Sequence, residues 1–143
     1  MKISTINIIG SGNVAFHYHK IMKERGYEVK IISSRKEFVL DDVESDVVII
    51  AVKDDAIREV FNRLPRVKTL LLHTSGFTPS GILSQKADNY GSLYPLQSLN
   101  KKKDIDFLKV PLCFYVNNKD YLECLKTFAE SLSTLTCLLS DEQ

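Results

Sequence analysis

Three small residues follow an apolar run near the start of the chain, in the pattern Gly10-x-Gly12-x-x-Ala15. This spacing is typical of a loop that binds a dinucleotide. Gly10 permits a tight turn, Gly12 lets a pyrophosphate approach the backbone, and Ala15 allows a helix to pack closely on its strand. The new helix would direct free N–H groups and the positive end of its dipole at the phosphates. The predicted cofactor-binding loop comprises Gly10, Ser11, Gly12, Asn13, Val14 and Ala15.

The residues on both sides of this loop also fit a dinucleotide site. Residues 2–9 have the composition of a β-strand, and residues 14–25 place Val14, Tyr18 and Ile21 at helical spacing. A glycine turn between a strand and a helix is the context that the motif requires. The alternative is a strand–turn–helix corner that binds no ligand, because the spacing alone is common.

A basic turn follows the second predicted strand, residues 27–33. NAD-binding sites usually carry Asp or Glu about 20 residues after the glycines, where it binds the ribose 2′-hydroxyl. Here the sequence reads Ser34, Arg35 and Lys36, with two cations and no carboxylate. Such a turn suits the 2′-phosphate of NADP, which a guanidinium binds through forked, charge-assisted hydrogen bonds. We predict that these three residues bind NADP; the alternative is a solvated basic surface.

The rest of the chain alternates between strand and helix patterns. Residues 46–52 contain a continuous β-branched run, as expected of a central parallel strand covered on both faces. Residues 57–64 and 121–132 carry apolar residues at helical spacing, and Asp120 with Glu123 suggests a capping box before the second helix. Further strands are predicted over 69–73, 90–94, 112–116 and 134–139, with a minor strand near 38–40. The alternation predicts one domain over residues 1–143, an α/β fold with a doubly wound, mostly parallel sheet and helices on both faces.

A histidine at the end of a predicted central strand is the candidate catalytic residue. His73, Thr74 and Ser75 would lie on a loop near the nicotinamide, since ligands bind beyond the carboxyl ends of such strands. Imidazole titrates near neutral pH, so His73 could act as an acid or a base. The alternative is a hydrogen-bonded histidine that only ends the strand. Tyr94 and Gln97 are candidates for the substrate side, although a Tyr-Pro turn is more often structural.

Composition excludes several other classes of function. The 143 residues carry a net charge of +1, which provides no strong field for nucleic acid or a membrane surface. No apolar run approaches the roughly 20 residues that span a bilayer. The three cysteines are too widely spaced for a disulfide framework or a zinc motif, so we expect no metal site and a cytoplasmic location. Cys124 and Cys137 are predicted to fill the core. His17 and His19 are predicted to lie on the surface or partly beside the cofactor. Residues 101–103 are predicted to form a solvated loop, and the alternative is a phosphate-binding role.

Five motifs in order resemble a bacterial family of NADP oxidoreductases. They are Gly10-Ser11-Gly12-Asn13-Val14-Ala15, Ser34-Arg35, Ala51-Val52-Lys53-Asp54-Asp55-Ala56-Ile57, His73-Thr74-Ser75-Gly76 and Tyr94-Pro95-Leu96-Gln97-Ser98. The family joins a Rossmann domain to a C-terminal helical domain of unknown function. The chain is more distantly similar to pyrroline-5-carboxylate reductase and prephenate dehydrogenase. The resemblance implies that Ala51, Val52 and Lys53 also bind the cofactor, together with His73, Thr74 and Ser75.

The resemblance also sets expectations for the whole protein. Family members continue past a segment like residues 140–143 into the helical domain, which would help to form the substrate pocket and a homodimer. We therefore expect this chain to be a truncated form or cleaved product that lacks that domain. The implied function is the NADP(H)-binding half of an oxidoreductase that transfers hydride on an unidentified small substrate. The alternative is a nucleotide-binding or sensing module without catalytic activity, and measured hydride transfer would discriminate between the two.

Overall fold

The computed structural model describes residues 2–76 and 78–139. Phe77 and the predicted domain boundary at residues 140–143 lie outside the described residues. The described part of the chain contains seven β-strands in one sheet and three α-helices. The strands are β1 (Thr5–Ile9), β2 (Glu28–Ile32), β3 (Val47–Ile50), β4 (Val67–His73), β5 (Ala87–Pro95), β6 (Leu112–Val116) and β7 (Thr136–Leu138), and the helices are α1 (Asn13–Glu24), α2 (Ile57–Arg63) and α3 (Leu122–Leu132).

The sheet has the strand order β2-β1-β3-β4-β5-β6-β7. Neighbouring strands are parallel except for β5 and β6, which are antiparallel. Residues 96–111 join that pair with only a short 3-10 turn over Phe107–Lys109, and no crossover helix returns the chain for a parallel pairing. The strand order reverses at β1, which lies between β2 and β3. The predicted doubly wound, mostly parallel sheet is confirmed, and the glycine turn follows β1 at this switch point.

Strand β3 explains why the sequence shows a run of apolar residues instead of an alternation. Its four residues are all completely buried. Val47 and Ile49 pack into the apolar cluster that includes α1 and α3, whereas Val48 and Ile50 pack into the cluster that includes α2. Successive strand residues point to opposite faces, so helices on both faces require an apolar side chain at every position.

Helix α1 begins and ends close to its predicted limits. Gly12 is its N-cap, and no side chain caps this end. At the other end Gly26 adopts φ +88, a left-handed conformation that favours glycine, and its N–H donates to the Lys23 carbonyl. The turn into β2 follows at once, which places the first two parallel strands side by side.

Three sequence predictions about local structure are wrong. The minor strand near residues 38–40 is absent from the described chain; a 3-10 turn over Leu40–Val43 occupies this region, and the Asp42 carboxylate accepts a hydrogen bond from the Val39 N–H. The capping box is replaced by Asn118, whose side chain accepts from the Asp120 N–H and starts a 3-10 turn before α3. Cys137 is exposed because β7 is the edge strand.

Candidate cofactor cleft

A cleft of about 1020 Å³ lies beyond the carboxyl ends of β1, β3, β4 and β5. Its position at the strand-order reversal is where open α/β sheets bind their ligands. Eleven of the fifteen residues predicted to form the site line it. They are Ser11, Gly12, Asn13, Val14, Ser34, Arg35, Ala51, Val52, Lys53, Thr74 and Ser75. Elements far apart in sequence thus converge on one surface.

The three small residues of the glycine loop have three different surroundings. Gly10 has φ +135, and a Cβ there would lie 2.2 Å from the carbonyl oxygen of Ala51, the residue that follows β3. A Cβ on Gly12 would meet no atom within 4 Å, so this position faces open space in the cleft. Ala15 is completely buried and packs in the core cluster beneath α1. Gly10 and Ala15 therefore serve the fold, whereas the absence of a side chain at Gly12 leaves room for a ligand.

The N-terminus of α1 supplies hydrogen-bond donors to the same place. The first intrahelical bond runs from the Phe16 N–H to the Gly12 carbonyl, so the earlier N–H groups of the helix have no intrahelical acceptor. No acidic residue occupies the first turn. Asn13, Val14 and Ala15 thus present unneutralised N–H groups at the positive end of the helix dipole. With the open space at Gly12, this surface fits a pyrophosphate.

The two cations of the Ser34–Lys36 turn have different surroundings. The Lys36 ammonium donates to Asp42 Oδ1 at 2.8 Å, and Lys36 does not line the cleft. Arg35 lines the cleft, is exposed, and its side chain makes no hydrogen bond or ion pair with a described residue. Its backbone N–H donates to Ser33 Oγ at 3.2 Å. Arg35 is therefore the cation of this turn that remains available to an anionic ligand.

His73 is buried behind the cleft and does not line it. Its Nδ1 accepts a hydrogen bond from the Ser75 N–H at 3.0 Å, so the neutral ring carries its proton on Nε2. Nε2 lies 3.2 Å from Ser80 Oγ, to which it donates. Both ring nitrogens thus bind groups of the protein itself. This arrangement favours the alternative reading of His73, a positioning residue that fixes the Thr74–Ser75 loop at the cleft.

Burial lowers the pKa of His73 to about 4, although the Thr78 backbone and the Asp54 carboxylate act in the opposite direction. Between pH 6.5 and about pH 4, the His73 ring is mostly protonated in the unfolded chain but stays mostly neutral in the folded chain. The contribution of His73 to the free energy of unfolding is therefore complete above pH 6.5. It is lost as the pH falls toward 4, by roughly 3 kcal/mol in total.

We expect urea unfolding of the wild type to show this loss of stability between pH 6.5 and about pH 4. The free energy of unfolding of His73→Asn should depend less steeply on pH over the same range, because this variant lacks the imidazole. Parallel pH profiles for the two proteins would contradict the assignment.

The end of β5 and the segment that follows it also line the cleft. Tyr94 lines the cleft, and its ring lies against the Gly76 backbone, where a Cβ would come within 2.4 Å of Cζ. This contact joins the motif that ends at Gly76 to the motif that begins at Tyr94. Gln97, the other candidate for the substrate side, also lines the cleft. Nothing in the sequence predicts that Gly76 and Tyr94 meet, because Gly76 follows β4 whereas Tyr94 belongs to β5.

The cleft also includes residues that the sequence interpretation missed. Asp54, Asp55 and Lys101 line the cleft. Lys101 was predicted in a solvated loop, but its backbone N–H donates to Asn13 Oδ1 at 3.1 Å. His17, predicted on the surface, is buried, and its Nε2–H donates to the Asn100 carbonyl at 2.8 Å. No local signal reveals these contacts, which join positions 88 and 83 residues apart.

Solved structures of several oxidoreductases share this fold. A Bacteroides fragilis protein assigned as an NADP oxidoreductase is 24% identical, with a TM-score of 0.84 over 99% of this chain and 62% of that chain. Prephenate dehydrogenase from A. aeolicus, in complex with hydroxyphenyl propionate and NAD+, is 13% identical, with a TM-score of 0.69 over 98% and 61%. An imine reductase from Myxococcus stipitatus, in complex with NADP+, is 17% identical, with a TM-score of 0.63 over 94% and 54%.

These similarities establish a Rossmann-like fold. The chain spans 62% of the length of the Bacteroides fragilis protein and 61% of the prephenate dehydrogenase. No protein-family model and no curated protein matches the chain. Among residues 2–76 and 78–139, no three His, Cys, Asp or Glu side chains are grouped to hold a metal ion. No described helix is long and apolar enough to cross a membrane.

Proposed function

We propose that this chain binds NADP(H) as the cofactor domain of an oxidoreductase acting on an unidentified small substrate. The observation that carries the proposal is the cleft at the strand-order reversal. Open space at Gly12, the N–H groups at the start of α1 and Arg35, whose side chain pairs with no described residue, meet there. NADP needs these three features together, because it carries a 2′-phosphate at a distance from its pyrophosphate. The solved structures with this fold include proteins named for NADP or bound to it.

The lining residues divide the cleft into regions for the parts of the cofactor. Gly12 and the start of α1 would hold the pyrophosphate, and Ser34 with Arg35 would hold the 2′-phosphate. Because the dinucleotide crosses the crevice, the nicotinamide would lie on the other side, toward Lys53 and the Thr74–Ser75 loop. Bound reduced nicotinamide supplies a hydride. The residues that line the cleft would orient the nicotinamide. His73 would contribute by holding the Thr74–Ser75 loop in place and would not exchange a proton.

The remaining features of the whole protein belong to the same proposal. Tyr94 and Gln97 form the wall on which the substrate would bind. The helical domain implied by the family resemblance would complete the substrate pocket and form a homodimer. A cytoplasmic location is consistent with three unpaired cysteines among the described residues.

Cofactor choice tests the proposal directly. A hydrogen bond to a charged group contributes about 1.5–3 kcal/mol. We therefore expect Arg35→Ala to weaken NADP binding by roughly 10- to 100-fold, at about 1.4 kcal/mol per tenfold. NAD affinity should barely change, because NAD lacks the 2′-phosphate. Titration calorimetry with both cofactors measures this, and raised salt should reduce the preference because Arg35 is exposed.

Arg58→Ala provides the control, since Arg58 is an exposed arginine of α2 that does not line the cleft. This variant should bind both cofactors like the wild type. Equal affinity of the wild type for NAD and NADP, or equal losses in Arg35→Ala, would overturn the preference for NADP. Failure of the wild type to bind either cofactor would overturn the proposed function itself.

A further inference from the structure

Arg63, the last residue of α2, binds the backbone of the Ser34–Lys36 turn from outside the cleft. Its Nη1 donates to the Lys36 carbonyl at 2.7 Å, and its Nη2 donates to the Ser34 carbonyl. The two carbonyls flank Arg35. A planar guanidinium can span two acceptors in this way with little loss of freedom. Arg63 therefore restrains the backbone immediately before and after the residue proposed to bind the 2′-phosphate.

The surroundings of the Arg63 guanidinium are unusual for an ion. It lies 5.2 Å from the centroid of the Phe38 ring, which orients it by a cation–π contact. Its Nε is buried without a hydrogen-bond acceptor among the described residues. Within that part of the chain, no carboxylate forms an ion pair with it. Among the described residues, the guanidinium thus contacts two neutral carbonyls and an aromatic ring, beside a turn that lines the cleft.

The far end of the turn is restrained independently. Lys36 pairs with Asp42, whose other carboxylate oxygen accepts from the Val39 N–H. The Asn7 side-chain amide, on β1, donates to the Asp42 carbonyl at 2.6 Å. Arg63 and Asp42 therefore hold the turn from two sides. Arg35 alone of the turn's cations stays free of both.

We propose that Arg63 is a positioning residue that fixes the Ser34–Lys36 turn and thereby sets the preference for a phosphorylated adenosine ribose. This inference rests on the proposed function. Ordering a binding loop before the ligand arrives removes an entropic cost from binding. That gain applies only to a ligand that uses the turn, so NADP benefits and NAD does not.

The first test compares cofactor affinities of Arg63→Met and Arg63→Lys. We expect both variants to bind NADP roughly 10-fold more weakly than the wild type, with NAD affinity changed less than about 2-fold. Lysine keeps the charge but cannot span two carbonyls, so it should not rescue NADP binding. Arg58→Met on the same helix is the matched control and should behave like the wild type. Equal losses for both cofactors, or full NADP affinity in Arg63→Lys, would overturn the inference.

The second test needs no cofactor. Backbone ¹⁵N relaxation and amide exchange of residues 34–37 report the order of the turn in the free protein. We expect both Arg63 variants to lose order there while Arg58→Met does not, with circular dichroism confirming that all three fold. An equally ordered turn in Arg63→Met would overturn the inference even if NADP binds. A wild type that binds neither cofactor would instead refute the proposed function, and the relaxation data would still show whether Arg63 orders the turn.

Discussion

Replacing Gly91 by alanine is expected to lower the free energy of unfolding by about 3 kcal/mol or more. Gly91 lies in β5, paired with Val116 of β6. A Cβ at this position would lie 1.8 Å from the Tyr115 carbonyl oxygen, closer than any non-bonded contact allows. Because the obstacle is backbone, no side-chain rotation relieves the clash. The two strands would have to separate at the antiparallel join of the sheet.

Thermal and urea unfolding measure this effect. A loss of about 3 kcal/mol corresponds to a fall in Tm of roughly 6–12 °C for a domain of this size. Gly81→Ala is the matched control, since a Cβ at Gly81 would meet no atom within 4 Å. It should change stability by no more than about 0.5 kcal/mol. If both variants unfold like the wild type, β5 and β6 do not approach as closely as described.

Gly12→Ala is expected to weaken NADP binding by about 100-fold while the protein stays folded. Gly12 has φ −83 and ψ −159, an extended conformation that alanine adopts without strain. The added methyl group would project into the cleft where the pyrophosphate is proposed to approach the backbone. A 100-fold loss corresponds to about 2.8 kcal/mol of binding free energy. NAD should be affected to the same degree, because both cofactors share the pyrophosphate.

Titration calorimetry, together with thermal unfolding of the same samples, separates binding from stability. Gly81→Ala again serves as the control and should bind like the wild type. Gly10→Ala should fail differently, by loss of folding, because of its positive φ and the nearby Ala51 carbonyl. Full NADP affinity in a folded Gly12→Ala variant would show that the cofactor does not approach this loop.

The identities of small and apolar residues were sufficient to predict the core of the fold. The apolar run of β3, with all four residues buried, predicted a central strand covered on both faces because such a strand has no solvated side. The spacing of Gly10, Gly12 and Ala15 predicted the strand–turn–helix corner, because the strand end, the turn and the helix start each depend on neighbours within a few residues. Arg35 was predicted at the cleft for the same reason: its distance from the glycines is fixed by one βαβ unit.

Side-chain partners and strand direction were decided only by the tertiary structure. Lys36 carries the same charge as Arg35, yet its pairing with Asp42 directs it away from the cleft. The direction of β6 depended on whether residues 96–111 crossed the sheet, which their composition did not reveal.

The contacts of His73 were likewise decided by the tertiary structure. The sequence left this residue equally open to a catalytic and to a structural role, and its contact with Ser80 and its complete burial favour the structural one. Asn13 binds Lys101, a residue 88 positions away, and Arg63 binds a turn 27 to 29 positions away. Local patterns encode backbone conformation and the face that is buried. Which polar groups meet depends on how the elements pack, and that packing is a property of the whole chain.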